Sequence, residues 1–325
     1  MKLSRYIVFT AALVALAVSS ATAIAADAVS FRLNWYLGGL HAPFYYGKER
    51  GFYAAEGIDL TINEGRGSVA TVQGVAAGAD TFGLADSSSV ILTASKGADI
   101  KSVMSVLNST GYSVVSLAET GIKTPKDLEG KRLAVTPGDP LGQLFLALAA
   151  HNKLDMSKIT LIQVDPAAKV VSVLEKRADG LLGGADDQYF LIKQRGIQPA
   201  ALRYADYGAN IVGMTIVTKT DLIKSNPDLV RRFVRATVKS WEEAKKNPGA
   251  AVDATLKVKP DLNRQSQLEQ LMVDIELLDS NNSKGRIGWG AQGDWDQTLA
   301  LLKQYRELKT DQPWTAFHTN EFLAK

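Results

Sequence analysis

Asn34-Trp-Tyr-Leu-Gly-Gly-Leu-His-Ala-Pro-Phe-Tyr-Tyr-Gly-Lys-Glu-Arg-Gly-Phe-Tyr-Ala-Ala-Glu-Gly57 begins where a strand-like run at 29–35 ends, and it combines a glycine-containing loop with the start of a helix. The helix is predicted from Pro43, because proline is tolerated in the first helical turn, where an N–H would have no partner. Gly51 stands where a left-handed residue would end that helix. The stretch therefore predicts a loop with two aromatic side chains at the carboxyl end of a first strand, where ligands bind in open α/β sheets.

A three-part export signal precedes this stretch. Met1 to Arg5 is a short cationic head, an apolar run follows at 6–18, and small residues continue through Ala26. The apolar run is shorter than the roughly 20 residues that a membrane-spanning helix needs. We therefore expect residues 1–26 to be a signal peptide, cleaved near Ala25 or Ala26, and the mature protein to be periplasmic.

The composition excludes several classes of site. The 325 residues contain no cysteine, and the three histidines lie far apart in the sequence. Disulfides, zinc–cysteine sites and thiol catalysis are therefore excluded, and a histidine-based metal cluster is not expected. The net charge of +3 gives no reason to expect nucleic acid as a partner. We predict no metal and no cofactor.

Predicted strands alternate with predicted helices through most of the chain, which indicates βαβ units and a mainly parallel sheet. The pattern restarts near residue 119 without a disordered linker, as expected for an inserted domain joined by extended crossovers. We therefore expect an α/β fold with lobe 1 at 27–118, lobe 2 at 119–210, and a return strand with helices at 211–325 that pack on lobe 1. The predicted strands are 29–35, 58–63, 81–85, 100–107, 112–117, 131–135, 159–164, 180–184 and 211–218, and the main helices are 69–77, 86–96, 143–151, 169–177, 227–246, 264–278 and 295–308.

Four loops share one property, since each follows a predicted strand and precedes a predicted helix. In a doubly wound lobe such loops gather at one sheet edge, with helix N-terminal amides directed into the space between the lobes. Hydroxyls and N–H groups there bind a polar ligand, and Trp35, Tyr36 and Tyr189 offer flat surfaces for stacking. The loops are 35–40, 65–68, 86–89 and 136–142.

Structural roles are the open alternatives for several of these residues. Trp35 is also expected as a core residue, the serines at 87–89 as a helix cap, Arg66 as a surface cation, and the acids at 186–187 as a solvated turn. Tyr45 and Tyr46 are expected to pack rather than bind.

Catalytic motifs are missing from the sequence. It contains no nucleophile elbow, His-Glu-x-x-His motif, phosphate-binding Walker loop or dinucleotide fingerprint. One acid–base pair, His41 with Asp86, is conceivable, but nothing in the sequence brings the two side chains together. We therefore predict that the protein is not an enzyme.

Several short motifs are spaced along the chain. They are Asn34-Trp-Tyr, His41-Ala-Pro-Phe, Gly51-Phe-Tyr-Ala-Ala-Glu-Gly57, Gly74-Val-Ala-Ala-Gly78, Phe82-Gly-Leu-Ala-Asp86, Thr124-Pro-Lys-Asp-Leu-Glu-Gly-Lys131 and Gly285-Arg-Ile-Gly-Trp289 with Trp295. Together they resemble one known family, the solute-binding proteins of bacterial ABC transporters for thiamine pyrimidine precursors, alkanesulfonates, taurine, nitrate and riboflavin. The resemblance implies a type II periplasmic binding protein, in which two lobes joined by two crossover strands close on a small molecule and deliver it to a membrane permease with a cytoplasmic ATPase.

Within this family, Asn34-Trp-Tyr and Pro137-Gly-Asp-Pro140 are more similar to the pyrimidine-precursor receptors than to the sulfonate receptors. The resemblance implies stacking by Trp35 and Tyr36, and polar contacts from Asp86 and Ser87 in lobe 1 and from Gly138 and Asp139 in lobe 2. Cytosolic relatives that make the thiamine pyrimidine carry a cysteine-rich motif, which this chain does not contain. The full set of predicted ligand-binding residues is Asn34, Trp35, Tyr36, His41, Arg66, Asp86, Ser87, Thr136, Gly138, Asp139, Asp187 and Tyr189.

The charges in this set point to two kinds of ligand. Asp86, Asp139 and Asp187 favour a neutral or cationic ring that bears an amine, whereas Arg66 favours a carboxylate or sulfonate. We predict a monomeric receptor for an aminopyrimidine or a related heteroaromatic. The alternatives are the same role for an organic anion, or a ligand receptor that reports to a sensor kinase or a chemoreceptor.

Overall fold

The computed structural model describes residues 26–137, 139–280, 282–283, 285–305 and 308–324. The predicted signal peptide up to residue 25 and the predicted ligand contact Gly138 lie outside these residues. The described strands are β1 (Asp27–Arg32), β2 (Ile58–Asn63), β3 (Phe82–Asp86), β4 (Ile100–Ser105), β5 (Tyr112–Leu117), β6 (Arg132–Val135), β7 (Thr160–Gln163), β8 (Gly180–Gly184), β9 (Pro199–Arg203) and β10 (Met214–Lys219). The described α-helices are α1 (Ala42–Glu49), α2 (Phe52–Ala55), α3 (Ser68–Ala76), α4 (Ser87–Ser95), α5 (Pro140–His151), α6 (Ala168–Leu174), α7 (Gln188–Lys193), α8 (Thr220–Ser225), α9 (Pro227–Lys246), α10 (Pro248–Val258), α11 (Arg264–Leu277) and α12 (Gln292–Tyr305).

The strands form two five-stranded sheets, and each sheet with its helices makes one lobe. The order is β2-β1-β3-β10-β4 in the first lobe and β7-β6-β8-β5-β9 in the second. The expected α/β architecture of two lobes is therefore confirmed.

Both sheets are mixed, so the expectation of a mainly parallel sheet was wrong. Strand β1 runs parallel to β2 and β3, and β6 runs parallel to β7 and β8. Strand β10 is antiparallel to β3 and β4, and β5 is antiparallel to β8 and β9. The antiparallel strands are those that begin directly after the chain crosses from one lobe to the other. Strand β10 begins at Met214, opposite Asp86, the last residue of β3, and β5 begins at Tyr112, opposite Gly184, the last residue of β8. The chain therefore passes between the lobes at the carboxyl edge of both sheets.

Strand β5 belongs to the second sheet, which corrects the predicted end of the first part of lobe 1 at residue 118. The alternating pattern of 112–117 predicts a strand but does not say which sheet it joins, whereas its hydrogen bonds to β8 and β9 do. We now propose that this part of lobe 1 ends before Tyr112. The remaining division of the chain stays a prediction.

An aromatic cluster fills the centre of the first lobe. The rings of Phe82 and Phe233 stack with their centroids 4.0 Å apart, and Phe31 lies 5.6 Å from Phe233 in an edge-on arrangement. Phe233 belongs to the buried face of α9, whose other face carries charged side chains. This helix therefore covers the first sheet, as expected for the C-terminal helices.

Helix α12 lies between the lobes instead of on the first lobe alone. Its Trp295 and Leu299 pack with Ile91 of α4, while Leu301 and Tyr305 lie against the core of the second lobe. The expectation that the whole C-terminal part packs on lobe 1 is therefore only partly met. Among the described residues, we find no helix with the length and apolar character needed to cross a membrane.

Candidate functional site

A cavity of about 540 Å³ lies between the carboxyl edges of the two sheets. This volume suits a small organic molecule. Both lobes contribute to its wall, and the loop before α11 and that helix close one side. The described lining includes 34–41, 66–70, 136–137, 186–188 and 261–263, together with Gln73, Tyr112, Asp139, Leu141, Pro166, Lys169, Gly184, Leu191, Gln194, Met214, Gln267 and Gln270.

Trp35 and Tyr36 form an aromatic wall on the first-lobe side. Their ring centroids are 5.3 Å apart in an edge-on arrangement, Trp35 is half-buried, and Tyr36 is 42% exposed. The loop is held by backbone hydrogen bonds from Gly65 N to Trp35 O, 3.1 Å, and from Gly67 N to Asn34 O, 2.8 Å. A side chain at Gly65 would collide with the Leu33 carbonyl, so glycine permits this close approach. Trp35 is thus placed in the cavity wall and not in the core.

His41 is a buried, neutral histidine that holds Asn34 in place. The backbone N–H of Gly38 donates to His41 Nδ1 at 3.0 Å, so the ring proton lies on Nε2 and is donated to Asn34 Oδ1 at 2.9 Å. Burial lowers the pKa of His41 to about 3. Since the ring is neutral at any ordinary pH, we assign it a positioning role rather than proton transfer.

Asp86 and Ser87 do not line the cavity, contrary to the prediction. The Asp86 carboxylate caps α4: it accepts from Ser89 N at 2.9 Å, from Ser89 Oγ at 2.7 Å and from Ser88 Oγ. The Ser87 hydroxyl donates to the Val212 carbonyl. Both side chains are fully buried, and their hydrogen bonds go to the first turn of α4 for Asp86 and to Val212 for Ser87. The cap alternative therefore holds in part, since Ser88 and Ser89 donate to the capping residue Asp86 while Ser87 does not. No contact between Asp86 and His41 is present.

Tyr189 is likewise absent from the cavity wall. Its ring lies 5.2 Å from that of Phe190 and packs against the apolar cluster under the second sheet. Because α7 begins one residue before Tyr189, the helix turns this side chain toward the core and leaves Asp187 at the cavity.

The second-lobe wall is built around an ion pair, of which only the acid, Asp139, was predicted from the sequence. Asp139 caps α5 through Leu141 N at 3.0 Å, and its other oxygen accepts from Lys169 Nζ at 2.8 Å. Lys169 is 2% exposed. Thr136 also lines the cavity, and its Oγ1 is buried without a hydrogen-bond partner. The prediction missed Lys169, since a single lysine at the start of a helix carries no sequence signal of burial.

Asp186 and Asp187 face the cavity beside this ion pair. Burial and the neighbouring charge of Asp186 raise the pKa of Asp187 to about 7, although Lys169 acts in the opposite direction. Burial also raises the pKa of Asp186. The alternative of a solvated turn is therefore not supported, and the two acids make this wall rich in hydrogen-bond acceptors.

Helix α11 adds two amide side chains that sequence reasoning missed. Gln270 Oε1 accepts from Gly39 N at 2.8 Å, which fixes the loop that carries the aromatic wall. Gln267 Oε1 is buried without a partner at the cavity. Arg66 lies exposed at the rim. No group of acids and histidines within the described residues has the arrangement of a metal site.

Curated proteins similar to this chain include two receptors and one enzyme. The chain is 26% identical over 292 residues to the formylaminopyrimidine-binding protein of Halalkalibacterium halodurans, covering 88% of this chain and 87% of that protein. It is 27% identical over 300 residues to the riboflavin-binding protein RibY of Chloroflexus aurantiacus, covering 87% and 82%. It is 22% identical over 312 residues to the 4-amino-5-hydroxymethyl-2-methylpyrimidine phosphate synthase THI5 of Saccharomyces cerevisiae, covering 92% and 88%.

Solved structures support the fold, and a family model supports the family. The alkanesulfonate-binding protein SsuA from Xanthomonas axonopodis pv. citri superposes with a TM-score of 0.68 at 13% identity, covering 90% of this chain and 98% of that chain. The family model described as NMT1/THI5 like matches residues 39–251, which is more than half of the sequence. The chain therefore belongs to the NMT1/THI5-like family.

Proposed function

We propose that the mature protein is a monomeric periplasmic receptor that captures a small nitrogen-containing heteroaromatic solute, similar to a thiamine pyrimidine precursor. The receptor delivers this solute to an ABC permease in the inner membrane, which works with a cytoplasmic ATPase. The observation that carries the proposal is the contrast between the cavity walls, with aromatic rings on one side and half-buried carboxyls on the other. A flat ring stacks on the first wall while its amino groups donate to the second.

The charges at the cavity support an amine-bearing ligand. The described lining contains four acids, Asp139, Asp186, Asp187 and Asp261, and two cations, Arg66 and Lys169. Lys169 is already bonded to Asp139. An anionic ligand would therefore lie close to unpaired acids, which is unfavourable in a partly buried site.

An organic anion is the second candidate, and Arg66 is the residue that favours it. Its guanidinium lies at the cavity rim, and no hydrogen bond or ion pair to it is found among the described residues. Guanidinium groups bind carboxylates and sulfonates through paired hydrogen bonds. Because Arg66 is solvent-exposed, this attraction is weaker than that of a buried cation.

The similarity to receptors for formylaminopyrimidine and riboflavin supports a nitrogen heteroaromatic as the ligand. The similarity to a pyrimidine phosphate synthase supports an enzyme as the alternative function. We favour binding without turnover, because the chain contains no cysteine and because His41 is locked as a neutral hydrogen-bond bridge. Recovery of a bound aminopyrimidine unchanged after prolonged incubation is the expected result, and a new product would contradict it.

A thermal-shift screen tests the ligand class. Aminopyrimidines, flavins, aliphatic sulfonates, nitrate and aromatic acids are each added in excess to the mature protein. A ligand at 100 times its dissociation constant stabilises the folded state by about 2.7 kcal/mol, which is readily seen as a higher melting temperature. We expect aminopyrimidines to give the largest shift. A shift with anions alone would replace the heteroaromatic proposal by the organic-anion candidate.

A further inference from the structure

Helices α7 and α11 form a polar seam between the two lobes. Lys193 Nζ of α7 contacts Glu269 Oε2 of α11 at 2.8 Å, and the side-chain amide of Gln194 donates to Ser266 Oγ. The carboxyls of Asp186, two residues before α7, and Asp274 of α11 also lie close enough to shift each other's pKa. The partners on α11 recur every three to five residues, so they lie along the helix side that meets the second lobe.

Asp274 is the unusual member of this seam. Its side chain is fully buried, and neither carboxyl oxygen accepts a hydrogen bond from an N–H or O–H donor among the described residues. The group that it meets is another carboxyl, that of Asp186. Two carboxylates repel each other, whereas a carboxylic acid donates a strong hydrogen bond to a carboxylate.

Glycines bring the Asp186 carboxyl into this position. A Cβ atom at Gly111, in the first crossover, would lie 2.6 Å from Asp186 Oδ1 and 3.3 Å from Leu277 Cδ1. A Cβ atom at Gly184 would also collide with Asp186 Oδ1. The same crossover is bonded to α11, because Asn108 N donates to the Leu277 carbonyl at 2.9 Å. The acid pair therefore lies against one of the crossovers that connect the lobes.

Few charged groups act on the pair. From the second lobe, Asp187 adds a negative charge beside Asp186, and Lys169 acts on Asp187 while bonded to Asp139. From α11, Glu269 is neutralised by Lys193 of α7. The crossover contributes Asn108 and Gly111, which carry no charge. Burial and the charges of Asp186 and Asp187 together raise the pKa of Asp274 well above its usual range.

We infer that Asp186 and Asp274 share one proton across the seam, and that this proton holds the lobes closed and makes ligand binding dependent on pH. Asp274 does not line the cavity, so it acts as a positioning residue through Asp186. The inference rests on the proposed function only in taking the cavity as the ligand site. It adds that lobe closure depends on this proton, which the two-lobed architecture alone does not imply.

The direction of the pH dependence follows from linkage. In an opened cleft both carboxyls reach water and titrate in their ordinary range, whereas burial in the closed seam raises the pKa of each. Closure therefore takes up a proton at a pH between the open-state and closed-state pKa values. As the pH rises through the raised pKa, the second carboxyl ionises and repulsion disfavours the closed state. Affinity that depends on closure falls by at most about tenfold per pH unit in this range.

The first test measures lobe opening without any ligand. Spin labels are attached to Ala77→Cys after α3 and Val171→Cys on α6, two exposed positions on different lobes of a chain that has no cysteine of its own. We expect short interlabel distances at about pH 5 and a growing population of longer distances toward about pH 9. Asp274→Asn in the same background should stay closed throughout, because the amide donates to Asp186 without titrating. Glu276→Gln, which removes an exposed carboxyl from the same helix, should behave as the parent does.

The second test measures affinity for a formylaminopyrimidine probe across the same pH range. The parent protein should lose affinity as the pH rises, and Asp274→Asn should lose less, keeping only the dependence that Asp187 contributes near pH 7; a purely structural role would instead lower affinity by the same factor at every pH and leave the slope of the parent unchanged. Parent distances that do not change with pH, or an Asp274→Asn variant that opens as the parent does, would overturn the shared proton. If the probe fails to bind while the distances respond as expected, the ligand proposal fails and the shared proton stands.

Discussion

At the scale of single residues, Trp35 decides whether the aromatic wall binds a ring. Its half-buried indole lines the cavity, and the Gly65 and Gly67 amides hold its loop. We expect Trp35→Ala to weaken binding of an aminopyrimidine by more than tenfold, equivalent to at least about 1.4 kcal/mol. Trp35→Phe keeps a flat ring and should retain most of the affinity. Isothermal titration calorimetry measures both, and unchanged affinity in a folded Trp35→Ala variant would remove Trp35 from the site.

Asp187 gives a second residue-scale prediction, on stability. Its pKa rises from 3.8 to about 7 in the folded protein, so the folded state binds the extra proton. The free energy that this group contributes to folding is fully present below its pKa in the unfolded chain, and it is lost as the pH rises through about 7. The melting temperature of Asp187→Asn should therefore exceed that of the parent above neutral pH and approach it under acidic conditions. Parallel melting curves at all pH values would show that Asp187 titrates normally.

Some functional residues could be predicted from the sequence and others could not. Trp35, Tyr36, Arg66, Thr136 and Asp139 were predicted and line the cavity, because the succession of strand, loop and helix places them at the sheet edge. Asn34, His41 and Asp187 were also predicted and line it. Lys169, Gln267 and Asp274 were missed. Each is one polar residue on a helix, and its burial depends on a partner element far away in sequence. No local pattern encodes such a partner.

At the scale of secondary-structure elements, the cap of α4 is expected to contribute to stability but not to ligand binding. Asp86 accepts three hydrogen bonds within the first turn of its helix and does not reach the cavity. Asp86→Ala should destabilise the protein by about 1–2 kcal/mol, as the loss of an N-cap does. Asp86→Asn keeps an acceptor and should cost less. Chemical denaturation gives the loss, and a tenfold drop in ligand affinity without loss of stability would return Asp86 to the binding site.

Elements with a clear sequence pattern were predictable, and elements without one were not. Strand β2 and helix α9 lie where the sequence places them, since alternation and a single apolar face identify them. Helix α7 has six residues and β9 begins with a proline, so neither gives a clear period. Pro248 follows the end of α9 and occupies the first turn of α10. A proline therefore fixes a helix boundary but does not exclude a second helix directly after it.

At the scale of the whole molecule, Gly111 controls how closely the lobes approach. Gly111→Ala places a methyl group 2.6 Å from Asp186 Oδ1, which must force the acid pair or the crossover to move. We expect weaker binding of the aminopyrimidine and longer interlobe distances from spin labels. Gly74→Ala in α3 is the matched control, because its Cβ would have only an ordinary contact, 3.4 Å, with Asp80 Oδ2. Equal affinities for the two variants would contradict a tight seam.

The two-lobed architecture could be predicted from the restart of the pattern near residue 119, but the direction of the crossing strands could not. A hydrophobic pattern reads the same in either direction, so it reveals neither the antiparallel entry of β10 nor the membership of β5 in the second sheet. Those features depend on where the chain leaves one lobe and enters the other, which is a property of the complete fold.

The two crossovers are bonded to each other: Gly213 N donates to Leu107 O at 2.9 Å, and Ser109 Oγ donates to Asn210 Oδ1 at 3.0 Å. The second lobe therefore leaves and rejoins the first at almost one point. Residues 110–209, encoded by one continuous gene segment, can consequently be exchanged as a unit. Exchanging it between relatives would replace one whole wall of the cleft while every strand register of the first sheet stays as it is, so ligand preference can be recombined in one genetic step.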